Sequence, residues 1–173
     1  MEKKYMVGMF SVLVLAMFVV GLNIGNTRDN GVGDGINYGS NVCVYKNDEL
    51  IGCQHNTVTT QGLNMVKSAL GQGTIQLIAN LTVGNTTAPA AGDTALPGAY
   101  VNHGLEGTTG TYNSNGNGNW SIAHTWTCSA GPTVVNTTGL CNATNGLFAG
   151  TSFTATTLQT DDQIKVNYTI FVT

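Results

Sequence analysis

The sequence predicts an all-β protein: one immunoglobulin-like or jelly-roll-like β-sandwich with a single short helix, preceded by an apolar N-terminal segment. Three observations lead there. "NWSIAHTWTC" and "QIKVNYTIFVT" alternate with period two, as strands with one buried face do. Gly/Asn turn clusters such as "NSNGNGN" recur at short intervals between such runs. At 173 residues the chain holds one core-forming domain, whose many short strands favour two packed sheets.

Taken in chain order, the first element is a leader. Lys3 and Lys4 precede an uncharged stretch from Tyr5 to Thr27, densest in apolar residues from Met9 to Val20, which reads as the n- and h-regions of a secretory signal. Residues 1–21 are thus a signal peptide cut after Gly21, with Val19 and Gly21 at the positions the peptidase reads, or a retained membrane anchor of spanning length. A prepilin-like cut after Gly8 lacks the usual preceding Lys or Arg. Each alternative places residues 30–173 outside the cell, because Lys3 and Lys4 hold the N-terminus in. Residues 22–41 form a Gly/Asn-rich tail, and residues 42–173 the sandwich.

Within the sandwich, "CVYKNDELIGC" is a hairpin pattern with its turn near Asp48. "TTQGLNMVKSALGQG" departs from period two: Leu63, Val66 and Leu70 recur at helical spacing, after a Thr and before Gly71, predicting a helix packed by that stripe on an edge or end of the sandwich. "TIQLIANLTV" turns Ile75, Leu77, Ala79, Leu81 and Val83 to one side. Further strands are expected at residues 99–105, 147–149 and 153–158. In "NWSIAHTWTC" the inner set is Trp120, Ile122, His124, Trp126 and Cys128; in the last strand it is Ile164, Val166, Tyr168, Ile170 and Val172.

The four cysteines, Cys43, Cys53, Cys128 and Cys141, agree with export and read as disulfides. Four cysteines allow three pairings, of which the local one, Cys43 with Cys53 and Cys128 with Cys141, is simplest. A zinc site is disfavoured because no pair has knuckle spacing and His55, His103 and His124 are scattered. Six Asn-x-Ser/Thr triplets occur, at Asn80, Asn85, Asn119, Asn136, Asn142 and Asn167. Asn80, Asn119 and Asn167 each sit on the parity opposite the apolar face of a predicted strand, where an N-linked glycan points to solvent. Glycans also account for solubility in a chain with only 9% charged residues.

Function classes narrow accordingly. A net charge of -3 with scattered Lys and Arg excludes a nucleic-acid footprint, which needs a clustered basic patch. "RDNGVGDG" has glycines where a calcium loop needs oxygen ligands, and "VGNTTAPAAGDTALPG" lacks a phosphate-binding fingerprint. His124 lies among Trp residues, Asp93, Asp161 and Asp162 fall in turns, and Ser121 and Ser152 have no nucleophile-elbow context. The reading is a non-enzyme that needs no metal and no cofactor apart from N-linked glycans.

The succession "HNTVTTQGLNMVKSALGQG", "IANLTVGNTTAPAAGDTALPG" and "TTGLCNATNGLFAGTSFTATTLQTDDQIKVNYTIFV", covering Gln54 to Thr173, resembles β-sandwich virion and tail structural proteins of tailed phages and archaeal viruses. These are turn and strand signatures, so the resemblance implies fold and structural role only. The export signal, cysteines and sequons depart from it. That combination is similar to subunits of archaeal extracellular threads and bundling pili, a likeness of architecture and composition. It implies a secreted, glycosylated homopolymer in which each subunit lends an N-terminal strand to the next.

The tail supports such a role physically. An open sheet edge accepts a strand from another chain, and a head-to-tail contact propagates into a filament. Leu22, Ile24, Val32, Ile36 and Tyr38 are the apolar knobs of the tail, with "INYGSNV" its most extended piece, and Phe171, outward on the last strand, is a second subunit contact. Two other classes stand as alternatives. One is an archaeal-virus envelope or spike protein, touching membrane only through the uncleaved N-terminal segment; the other is a secreted carbohydrate-binding module.

Overall fold

The computed structural model describes residues 38–172. They form β1 (Tyr38–Lys46), β2 (Glu49–His55), β3 (Thr57–Val58), α1 (Thr60–Gln72), β4 (Ile78–Gly84), β5 (Thr108–Thr109), β6 (Thr111–Gly116), β7 (Asn119–Thr127), β8 (Thr133–Asn142), β9 (Leu147–Leu158) and β10 (Gln163–Val172). Two five-stranded antiparallel sheets result, in the orders β2-β1-β10-β7-β6 and β3-β9-β8-β4-β5. The all-β sandwich with one short helix is therefore the observed fold.

Alternation dictates the core. In β10, Ile164, Val166, Tyr168 and Ile170 are at most 1% exposed, and Val42 and Val44 of β1 join them. The second sheet contributes Leu81, Val83, Val135 and Phe153. Burying such side chains stabilises by roughly 1.5–3 kcal/mol each before the entropy of ordering is subtracted. Trp120 and His124 are only half-buried, since β7 runs near the sheet margin.

Both flanks of the sandwich are closed by chain that changes sheets. On one side β2 leads through Asn56 into β3; on the other β5 leads through Gly110 into β6. Gly110 is required there, because a Cβ would lie 2.7 Å from the Ile122 side chain and 3.1 Å from that of Leu81. The β1–β2 hairpin turns on Asn47 and Asp48, both at positive φ as a two-residue primed turn demands.

Helix α1 forms where expected but lies differently. Its N-cap Thr59 accepts from the Gly62 N–H at 3.0 Å and donates its hydroxyl to the Leu147 carbonyl at 2.6 Å, fixing the helix start on β9. The helix runs past Gly71 to Gln72, and Gly73 supplies the left-handed C-cap. Its packed side is Gly62 and Met65, with Gly62 directly on the Phe148 backbone; the expected stripe is outside, Leu63 at 61% and Leu70 at 71% exposure. A helix capped onto a strand through its first turn has its rotation set by the cap, which here overrides the apolar period. Two further expectations are corrected. Ile75 and Leu77 are exposed because β4 begins only at Ile78, and residues 99–105 form turns, with a single bridge between Ala99 and Gly84. The 85–99 loop crosses the outer side of the second sheet, where Leu96 packs with Cys141 and Leu147.

Strand β1 begins at Tyr38, four residues before the boundary read from sequence, and pairs with β10 and β2 of its own chain. The apolar leader and the tail positions Leu22, Ile24, Val32 and Ile36 lie outside the described residues.

Candidate functional site

The cysteines separate into two kinds. Cys43 and Cys53 are register partners on β1 and β2, joined by a disulfide with a Cα–Cα distance of 4.1 Å. The expected bond between Cys128 and Cys141 is absent: both are buried free thiols. The physical reason is placement. Cys128 points into the core between the sheets, whereas Cys141 belongs to the apolar cluster on the outer side of the second sheet. Burial pushes the Cys141 thiol up to about 11, keeping it protonated and unreactive.

The sequons also divide. Asn85 is exposed in the loop after β4, and Asn80 is half-buried, its Oδ1 accepting from the Thr109 hydroxyl at 2.8 Å. Asn119, Asn136 and Asn167 are half-buried, each with a buried Oδ1 that has no hydrogen-bond partner. Asn142 differs. It is 7% exposed, its Nδ2 donates to Gln76 Oε1 at 2.6 Å, and its Oδ1 accepts from Thr144 N–H, the Thr144 hydroxyl and Gly146 N–H at 3.0, 2.9 and 2.7 Å. Its Oδ1 holds the β8–β9 turn and its Nδ2 ties that turn to the segment before β4, so both ends of the carboxamide are engaged.

Titratable groups mostly serve turns. Asp162 accepts from Asn47 Nδ2 and Gln159 N–H, each at 2.8 Å, and pairs with Lys46 at 3.0 Å; these partners, Asn47 first, hold its carboxyl down at about 2. Asp93 accepts from Ala90 N–H at 2.7 Å. His124 stands edge-on to the Trp126 ring at 4.7 Å and burial lowers its pKa, while Nδ1 of His103 meets the Thr133 hydroxyl at 3.1 Å. Among the described residues no three His, Cys, Asp or Glu side chains converge as a metal site, and no helix is long and apolar enough to cross a membrane. A cavity of about 540 Å³ lies between α1, the Ile75–Leu77 segment and the 142–144 turn, lined without any charged group.

Sheet edges are the remaining chemically capable features. Beyond its short pairing with β3 at Ala149 and Gly150, the far side of β9 has no strand partner among the described residues. The Thr151 hydroxyl reaches the His55 carbonyl at 3.1 Å at one end, and the Lys46 ammonium reaches the Thr157 carbonyl at 2.8 Å at the other. Between these contacts β9 is bulged from Ser152 to Thr156 and has β2 close by, with no strand paired on that side among the described residues. Phe171, expected as an outward contact, is half-buried: its ring covers Gly39, its register partner on β1, leaving no room for a Cβ there. Sequence reasoning missed the Lys46–Asp162–Asn47 cluster and the turn role of Asn142, for which the spacing from Asn142 to Gly146 was the available signal. Comparison of the chain with protein-family models, curated proteins and solved structures finds no match.

Proposed function

We propose that the protein is an exported structural subunit of an extracellular filament, polymerising head to tail by donor-strand complementation. One observation carries the reading: beyond Gly150 the side of β9 turned away from β8 has no strand partner among the described residues. That side is an irregular edge, bulged between Ser152 and Thr156 and with β2 close beside it, so a donor segment would add where the ladder is interrupted. The Cys43–Cys53 bond supports a donor ahead of β1, because β1 cannot leave its sheet without carrying β2 with it. Tyr38 is thereby removed from the donor, and Leu22, Ile24, Val32 and Ile36 remain its knobs. The extracellular location rests on the leader sequence, and a strand-crosslinking disulfide agrees with an oxidising compartment.

The test combines N-terminal sequencing of native material, electron microscopy and competition by a synthetic peptide of residues 22–37. A mature start near Leu22 and filaments whose growth the peptide stops are expected. Filament growth indifferent to the peptide, or a monomeric protein beginning at Met1 in membrane or virus fractions, refutes the donor-strand reading.

A further inference from the structure

The outer face of the first sheet is flat and almost uncharged. The helix and the 85–99 loop lie over the second sheet, and on the first the central strands present Asn167, Thr169 and Phe171 of β10 beside Asn119, Ser121 and Ala123 of β7. Two sequons therefore run antiparallel as neighbours. Thr169 and Ser121, their hydroxyl residues, are direct register partners. The two asparagines stand on either side of that pair, four strand steps or about 13 Å apart, which separates two attached sugars.

We propose that Asn119 and Asn167 carry N-linked glycans on this face, and that Phe171 is the platform for the first sugar on Asn119. Both asparagines lie on the parity opposite the core and are half-buried, so their side chains reach the outer face. Ala123, opposite Asn167, is too small to cover it. Opposite Asn119 lies Phe171, whose ring is laid flat on the sheet over Gly39 and offers its free margin to the apolar C–H face of a sugar on the adjoining strand. The co-substrate is a lipid-phosphate-linked oligosaccharide delivered by a membrane transferase. The Nδ2–C1 bond forms as the C1–O bond to phosphate breaks; the lipid phosphate leaves with the bonding pair and Nδ2 releases one proton. Transfer precedes folding, because the sequon backbone is locked in ladders afterwards. Asn142 is the sequon expected to stay bare, because protein partners engage both its Oδ1 and its Nδ2 in the folded chain. This inference rests on the export part of the proposed function and is independent of polymerisation.

Glycopeptide mass spectrometry of the native full-length protein tests it, with exposed Asn85 reporting entry into the glycosylating compartment. Sugar at Asn119 and Asn167 and none at Asn142 is expected. Asn85 occupied with Asn119 and Asn167 bare overturns the inference alone, as does sugar on Asn142; all sequons bare overturns it together with the export reading, while filament assays stay a separate measurement. For the platform, Asn119→Gln should lower the melting temperature of the glycosylated protein by several degrees in the wild-type background and by none in a Phe171→Ala background. Equal losses in both backgrounds remove Phe171 from the site.

Discussion

Replacing Asn142 by Ala, in protein made by a host without N-glycosylation, isolates the structural work of that side chain from any sugar. The substitution deletes the acceptor for Thr144 N–H, the Thr144 hydroxyl and Gly146 N–H and the donor to Gln76 Oε1. Ala143, Thr144 and Asn145 are exposed, so water re-solvates part of the opened turn, but Gly146 is buried and its N–H loses its partner outright. At a net contribution of about 1 kcal/mol per hydrogen bond, with more for the orphaned donor, the loss is about 2–4 kcal/mol. For a domain of this size that lowers the melting temperature by roughly 6–15 °C. Asn142→Asp keeps the Oδ1 acceptor, and Gln76 can turn its amide to donate instead, so it should cost less than about half as much. Thermal unfolding followed by circular dichroism measures both. If Ala and Asp variants melt together, or Ala melts with wild type, the three-bond turn does not do what its geometry states.

Other consequences are quickly checked. Thiol titration should find no reactive cysteine in native protein, two after denaturation without reductant and four after reduction; four without reductant would remove the Cys43–Cys53 bond, whose loss in a double Ser variant should cost about 2–3 kcal/mol. Asp162 has a folded pKa of about 2 against an ordinary 3.8, so its contribution is present above about pH 4 and is lost as pH falls toward 2. Asp162→Asn should flatten the melting-temperature profile across that window, and an unchanged slope would refute the assignment. Gly62→Ala forces a Cβ onto the Phe148 carbonyl and should destabilise by about 1–3 kcal/mol, whereas Gly71→Ala meets nothing within 4 Å and should stabilise by about 0.5–1 kcal/mol. Chemical denaturation that reversed the order of those two variants would show the helix seated otherwise.

How much of this was legible in sequence depended on range. Period-two alternation in β7 and β10 marked the correct inner residues because each side chain there answers to one flat neighbour sheet. The Cys43–Cys53 pair was legible as the local pairing, but the two-residue turn alone would set Cys43 opposite Gly52, and it is the bulge between Val44 and Tyr45 that brings Cys53 into register. Helix α1 was found but its rotation was misjudged: the apolar spacing of Leu63, Val66 and Leu70 is local, whereas the Thr59 cap and the Gly62 contact that orient it come from a strand some 88 residues away. Cys128 and Cys141 failed for a related cause. Nearness in sequence said nothing about the two opposite sides of the second sheet on which they lie. Among the candidate sites, sequon parity was readable at Asn167 and Asn119, but the burial of Asn142 depended on Gln76, which no local pattern connects to it.

The closure of the flanks narrows where a partner strand can enter. A β-sandwich with fully open edges exposes four templates, each a risk of unregulated edge pairing. Here β3 and β5, two residues each, continue chain that has crossed from the other sheet, so neither is a long template. The free side of β6 runs six exposed residues to a Gly116-Asn117-Gly118 corner and is interrupted by a bulge after Ser114, and the free side of β2 is bent by a bulge opposite Val44 and Tyr45. The side of β9 away from β8 is likewise irregular, with a bulge between Ser152 and Thr156 and contacts from Thr151 to His55 and from Lys46 to Thr157. A lysine at such a position discourages adventitious pairing, yet its single bond is easily exchanged for a ladder of backbone bonds. The same Lys46 also pairs with Asp162, so a strand that docked on β9 and displaced it from Thr157 would leave its charge satisfied. An edge that is guarded weakly, and by a residue with a second partner, is compatible with the proposed strand addition at β9.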